Sequence, residues 1–336
     1  MALLFLEHPL EKSRVPPYNG EKPPRRVRME TVLTRRRNVA LLAILCCCLW
    51  GSATPFIKMG YGLFGIDTSD TASLILFAGI RFTLAGVLVV LMGSVPRKKF
   101  LRPKKTSWGM VLRLCLFQTV MQYVCYYIGL AHASSVKTSI LNSAGTFFCI
   151  LVASLVFHQE TLRPYKVAGC LVGFAGVVLV NLTPQGFGGS VSFLGEGFVL
   201  LAALAYAISS TLLKGYSQRE STVVLSGYQF MLGGAIMAAA GFLCGGELYP
   251  QALKALPVLG YLAFLSAAAY SIWGMLLQYN PVSRVAIFGF LNPIVGVLLS
   301  ALLLRERLAI GWGQCLAALA LVSTGIFIIN RPQKDA

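Results

Sequence analysis

The sequence predicts an all-α integral membrane protein, with ten transmembrane helices arranged as two inverted five-helix repeats. Three observations lead there. The chain of 336 residues is 56% hydrophobic and only 12% charged, about half the charged fraction of a soluble domain, and its mean hydropathy is +0.71. Apolar runs of roughly 20 residues, each bounded by charge, Pro or Gly, recur from Val39 to the end. One of these runs also returns later: FAGIRFTLAGVLVVLMG, residues 77–93, has its counterpart 148 positions on in LSGYQFMLGGAIMAAAG, residues 225–241. Alternating strands are absent, which argues against an outer-membrane barrel. Helices are then the remaining way to satisfy a backbone in lipid.

Residues 1–38 are polar, proline-containing and basic, with nine Lys/Arg, and are expected to form a disordered cytoplasmic tail. Met29 opens a shorter reading, METVLTRRRN, that enters the first span directly; the residues before it read as an upstream start or a disordered extension. Arg35-Arg36 does not read as an export signal, because a full span without a small-residue cleavage site follows. The spans are predicted at 39–59, 72–93, 108–131, 136–157 and 164–181, then 194–215, 222–244, 256–278, 281–303 and 309–330. The first repeat is expected over 39–181 and the second over 194–330. Pro96, Pro103, Pro164, Pro184, Pro250 and Pro281 fall at the joints, where chain breakers belong.

The charge distribution sets an expected orientation. With the N-terminus inside, cytoplasmic segments hold 22 Lys/Arg, outer segments hold 5, and Arg81 and Arg113 lie within spans. That bias predicts a multi-pass protein of the inner (plasma) membrane with both termini cytoplasmic. The net charge of +17 is therefore a topology signal and not a nucleic-acid footprint. All nine cysteines lie inside apolar runs, no CxxC pair exists, and there are only three histidines. No metal, cofactor or disulfide is expected.

The repeat extends beyond one helix. Gly79, Phe82, Leu84, Gly86 and Gly93 match Gly227, Phe230, Leu232, Gly234 and Gly241, with Arg81 opposite Gln229. Trp50, Thr54 and Lys58 share the spacing of Tyr206, Ser210 and Lys214. Spans four and nine both run into a Glu, Glu160 and Glu306. An odd number of helices per half makes the second half enter the membrane from the opposite side, an architecture expected of secondary transporters, with the substrate site near the midplane. The chain resembles the EamA family of the drug/metabolite transporter superfamily. The likeness rests on ILCCCLWGSATPFIK, GIRFTLAG, ETLRPYKVAGCLVGFAGVVLV and LNPIVGVLLSALLLRERL, with a closing helix through Gly325. It covers about residues 39–330. Between Glu306 and Gly325 the spacing is three residues longer than between Glu160 and Gly176, a departure from the first half's pattern. The resemblance implies a ten-helix carrier of small metabolites, often an exporter.

Arg81 stands roughly 14 Å into its span, close to the bilayer centre, where an arginine costs on the order of 3 kcal/mol to insert. It is expected to face the bundle interior, either as the cation for an anionic or zwitterionic substrate or as a structural brace. Other cavity candidates are Trp50, Thr54, Gln118, Gln122, Tyr126, Asn142, Thr146, Tyr206, Ser210, Tyr270, Trp273 and Asn292. Thr138 and Ser266 lie on two of the same polar faces. Pro293, after Asn292, is expected to loosen a helical turn. Lys58, Glu160, Lys214 and Glu306 are gate or coupling candidates; Glu196 is a further proton-coupling candidate, and Lys137 and Arg284 read as interface cations. The expected function is a secondary transporter, an exporter or exchanger of a small polar metabolite that is amino-acid-like or otherwise anionic or zwitterionic, working by alternating access. Its expected partners are that small molecule and the lipid bilayer, as monomer or homodimer. An intramembrane enzyme is disfavoured by the absence of HExxH, GxSxG and an intramembrane Asp pair, and a sensor or scaffold by the absence of a soluble output domain.

Overall fold

The computed structural model describes residues 25–133, 135–182, 192–249, 253–304 and 311–331. Among them are ten helices long and apolar enough to cross a membrane: α1 (Arg36–Leu63), α2 (Thr71–Arg97), α3 (Lys105–Leu130), α4 (Lys137–Val156), α5 (Pro164–Asn181), α6 (Phe193–Tyr216), α7 (Thr222–Leu243), α8 (Ala255–Tyr279), α9 (Val282–Leu299) and α10 (Trp312–Asn330). Large apolar side chains such as Leu45, Leu91, Leu112, Leu171, Leu316 and Phe327 are exposed on their outer faces. On a soluble protein such a surface would aggregate; in a bilayer it is the lipid contact.

Several helices depart from regular geometry for identifiable reasons. Asp70 caps α2, its carboxylate accepting the N–H groups of Ala72 at 3.0 Å and Ser73 at 3.3 Å, which are donors that the first turn leaves orphaned. Pro55 sits inside α1 and cannot donate to the carbonyl of Gly51. The loosened turn expected at Pro293 is present: a 3₁₀ segment over Ile287–Phe290 interrupts α9, and the carbonyl Pro293 cannot serve is that of Gly289. Three π-helical stretches, Cys115–Met121 in α3, Val152–Val156 in α4 and Phe193–Gly197 in α6, had no counterpart in the sequence reading. Within the tail expected to be disordered, Arg25–Thr34 is helical, with Leu33 buried and its carbonyl accepting Asn280 Nδ2 at 2.9 Å.

The packing is two-fold. Helices α2 and α7 cross antiparallel at glycines: a Cβ on Gly86 would sit 2.5 Å from the carbonyl oxygen of Gly227, so only glycine permits this approach. Helices α5 and α10 repeat the device, with Gly325 lying against Gly169. Helix α1 packs on α8 and α9, while α6 packs on α3 and α4. Exchanging the two repeats (α1 with α6, α3 with α8, α4 with α9) maps one set of contacts onto the other. Two three-helix bundles result, α1/α8/α9 and α3/α4/α6, each drawn from both repeats. The α2/α7 and α5/α10 pairs tie them together.

Candidate functional site

Where α2 crosses α7, the two-fold relation becomes a relation between side chains. Phe82 stacks on its own repeat partner Phe230, with ring centroids 5.3 Å apart and planes 13° from parallel. Nearby, Tyr123 of α3 and Tyr270 of α8 share a hydrogen bond of 2.8 Å between hydroxyls. These two tyrosines also correspond, at an offset of 147. Phe82–Phe230 and Tyr123–Tyr270 therefore mark the pseudo-two-fold axis.

Arg81 lies just off that axis and is only 4% exposed. Its Nε and Nη2 donate to Ser266 Oγ of α8 at 3.3 and 3.0 Å, and its guanidinium carbon stands 4.8 Å from the Phe82 ring centroid, a cation–π distance. Ser266 in turn donates to the carbonyl of Leu262. Among the described residues the ion pairs are Lys137–Glu196 and Lys166–Glu160, so Arg81 is paired with no carboxylate there. Gln229, opposite Arg81 in the repeat, is fully buried and accepts Thr119 Oγ1 at 2.6 Å on its Oε1. Thr119 and Ser266 correspond at the same offset of 147. One contact is thus built twice, once charged and once neutral.

Around this layer Trp50 meets Tyr270 and Trp273 edge-on, with centroids 5.2 and 4.9 Å away. Trp50 Nε1, Gln118 Oε1, Gln122 Oε1 and Asn292 Oδ1 are buried without a hydrogen-bond partner among the described residues. Buried polar atoms are rarely left so. The structure therefore brings Trp50, Arg81, Tyr270 and Trp273 together, with Ser266, Tyr123 and Gln229 added to them. Thr146 is buried against Gly289, in the interrupted turn of α9. Ser210 is buried on α6 and Tyr206 is partly buried beside Gly145. Tyr126 meets Tyr127 edge-on, with ring centroids 6.0 Å apart, while Thr54 and Asn142 are exposed. Thr119 and Tyr123 went unnoticed in the sequence, although the offset of 147 that aligns Lys137 with Arg284 aligns them too.

Of the gate candidates, Glu160 joins the two bundles. Its carboxylate accepts Ser283 N at 2.9 Å and Ser283 Oγ at 2.6 Å from the start of α9, and Lys166 Nζ at 2.8 Å from α5. Lys214 of α6 caps the end of α8, donating to the carbonyls of Leu277 and Asn280. Gln218 Nε2 donates to the Gln278 carbonyl, and Gln278 Nε2 to that of Ser217, each at 3.1 Å. These cross-bundle bonds gather at the basic end of the molecule and hold the two bundles together there. At the other end Lys137 pairs with Glu196 at 2.7 Å within one bundle. Ser52 meets Tyr261 at 2.8 Å within the other. Lys58 lies apart from Trp50, beside Lys254 in an apolar groove of about 570 Å³ between α1 and α8. Glu306 lies outside the described residues. Among the described residues no group of three His, Cys, Asp or Glu is placed to hold a metal.

Comparison with known proteins agrees with this architecture. The model of the EamA-like transporter family matches residues 37–182 and again 193–331. The chain is 28% identical to the uncharacterized transporter YvbV of Bacillus subtilis, over 90% of this chain and 94% of that one. It is 26% identical to a probable amino-acid metabolite efflux pump of Escherichia coli, over 87% and 94% respectively. A crystal structure with 18% identity superposes with a TM-score of 0.71, over 88% of this chain and 96% of its own, which establishes a shared fold. Two matched repeats and ten spans account for nearly the whole molecule, and the chain belongs to the EamA-like transporter family of multi-pass membrane transporters.

Proposed function

We propose that the protein exports or exchanges a small zwitterionic or anionic metabolite of the amino-acid type, with Arg81 taking its carboxylate. The observation that carries this reading is a buried guanidinium with a serine hydroxyl as its hydrogen-bond partner and no paired carboxylate among the described residues. A guanidinium has five N–H donors and forms its strongest bonds with carboxylates, often in bidentate form. An arginine at this depth is costly unless something compensates its charge, and a substrate carboxylate does so. The aromatic group of Trp50, Tyr270 and Trp273 beside it supplies faces for an ammonium or an apolar side chain. The efflux pump resembled by this chain is described as one for amino-acid metabolites, which is the same ligand chemistry.

Transport proceeds by rocking of the α1/α8/α9 and α3/α4/α6 bundles about the axis. With the basic end and both termini cytoplasmic in the plasma membrane, the bonds of Glu160, Lys214 and Gln278 hold the cytoplasmic side shut. A thermal-stabilisation screen of the purified protein over amino acids, nucleosides and sugar phosphates, repeated with Arg81→Gln, tests the reading. Amino acids are expected to stabilise the wild type and not the variant. Equal stabilisation of both would overturn the assignment of Arg81.

A further inference from the structure

Gln229 is the feature that the transport reading does not use. It occupies the place of Arg81 in the second repeat, is 0% exposed, and is held by Thr119 as Arg81 is held by Ser266. Its Oε1 is satisfied, but its Nε2 is buried without a hydrogen-bond partner among the described residues. The side chain therefore offers a neutral donor at the position related to the Arg81 guanidinium by the axis through Phe82–Phe230 and Tyr123–Tyr270. The site has two geometrically matched poles, one cationic and one neutral.

We propose that Gln229 is a specificity determinant that limits the cargo to one carboxylate. A ligand spanning the axis places its carboxylate on Arg81 and a carbonyl, amide or hydroxyl oxygen on Gln229 Nε2. A second carboxylate at the Gln229 pole would be desolvated with no cation to meet it, a penalty of the kind proteins use to reject wrong partners. This rests on the assignment of Arg81 to the cargo carboxylate.

The test uses the full-length protein in nanodiscs with L-glutamine and L-glutamate, which share one shape and differ by one charge. The wild type is expected to bind glutamine more tightly. Gln229→Arg supplies the second cation and is expected to shift the glutamate-to-glutamine affinity ratio toward glutamate by about tenfold or more, the scale measured for close charge pairs. The double variant Arg81→Gln/Gln229→Arg, with one cation moved across the axis, is expected to return to the wild-type preference. Gln229→Glu, isosteric with the native side chain and so readily packed, is expected to move the ratio further toward glutamine. A ratio that stays within about twofold of wild type in both Gln229→Arg and Gln229→Glu, with glutamine still bound, overturns this proposal alone. Failure of every variant and the wild type to bind either probe overturns both this proposal and the amino-acid reading.

Discussion

Removing the Ser283 hydroxyl should loosen the closed end of the transporter without disturbing the midplane site. Ser283 Oγ donates to Glu160 at 2.6 Å, beside the backbone bond from Ser283 N at 2.9 Å. Ser283→Ala deletes the first bond, keeps the second, and leaves Lys166 paired with the carboxylate. A hydrogen bond to a charged group contributes about 1.5–3 kcal/mol net. If that bond exists only while the α4 and α9 ends are together, the ratio of closed to open falls on the order of ten- to a hundredfold. Glu160→Ala is the harsher change, because it strands the ammonium of Lys166, which is 6% exposed. The assay is the labelling rate, by a water-soluble maleimide, of a single cysteine introduced at Gln278 in an otherwise cysteine-free background, where the Gln278–Ser217 bond is missing from parent and variant alike. Ser283→Ala should label faster and Arg81→Gln at the unchanged rate. A Ser283→Ala rate equal to that of the parent would refute the claim that this bond is part of the closure.

Other consequences are structural. Gly86→Ala drives a methyl to within 2.5 Å of the Gly227 carbonyl and should cost about 1–3 kcal/mol of stability, whereas Gly62→Ala, with nothing within 4 Å, should be neutral or slightly stabilising in thermal unfolding. Asp70→Ala removes the α2 cap and should cost about 0.5–2 kcal/mol. The Ser73 hydroxyl, followed by the N–H groups of Ser73 and Ala72, holds the Asp70 carboxyl below its ordinary value. That contribution is present above the unfolded carboxylate pKa and is lost as pH falls through the lower folded one. Wild type should therefore lose stability relative to Asp70→Ala on acidification, and a difference constant with pH would show that the cap is not ionic.

The spans were legible because each is a continuous apolar run, and the fold was legible because Gly79, Phe82 and Gly86 recur as Gly227, Phe230 and Gly234. Pro293 announced the break in α9 for a simple steric reason. The π-helical stretch Cys115–Met121 was not legible: it contains neither Pro nor Gly, and the contact it carries, Thr119 with Gln229, joins residues 110 apart in sequence. The buried depth of Arg81 could be computed from its place in the span, but its partner could not, because Ser266 is 185 residues away and serines are common in such helices. The helix over Arg25–Thr34 was not legible from composition, which gives no weight to Leu33 as a single buried residue.

The central claim is that a cargo bound at Arg81 is moved, not merely held. Counterflow in proteoliposomes preloaded with an unlabelled amino acid, with the same labelled amino acid outside, measures this directly. The account predicts transient accumulation of label by the wild type and none by Arg81→Gln, although that variant inserts and folds. A wild type that binds the amino acid but never carries label inward would contradict it, as would an Arg81→Gln variant that accumulates label as the wild type does.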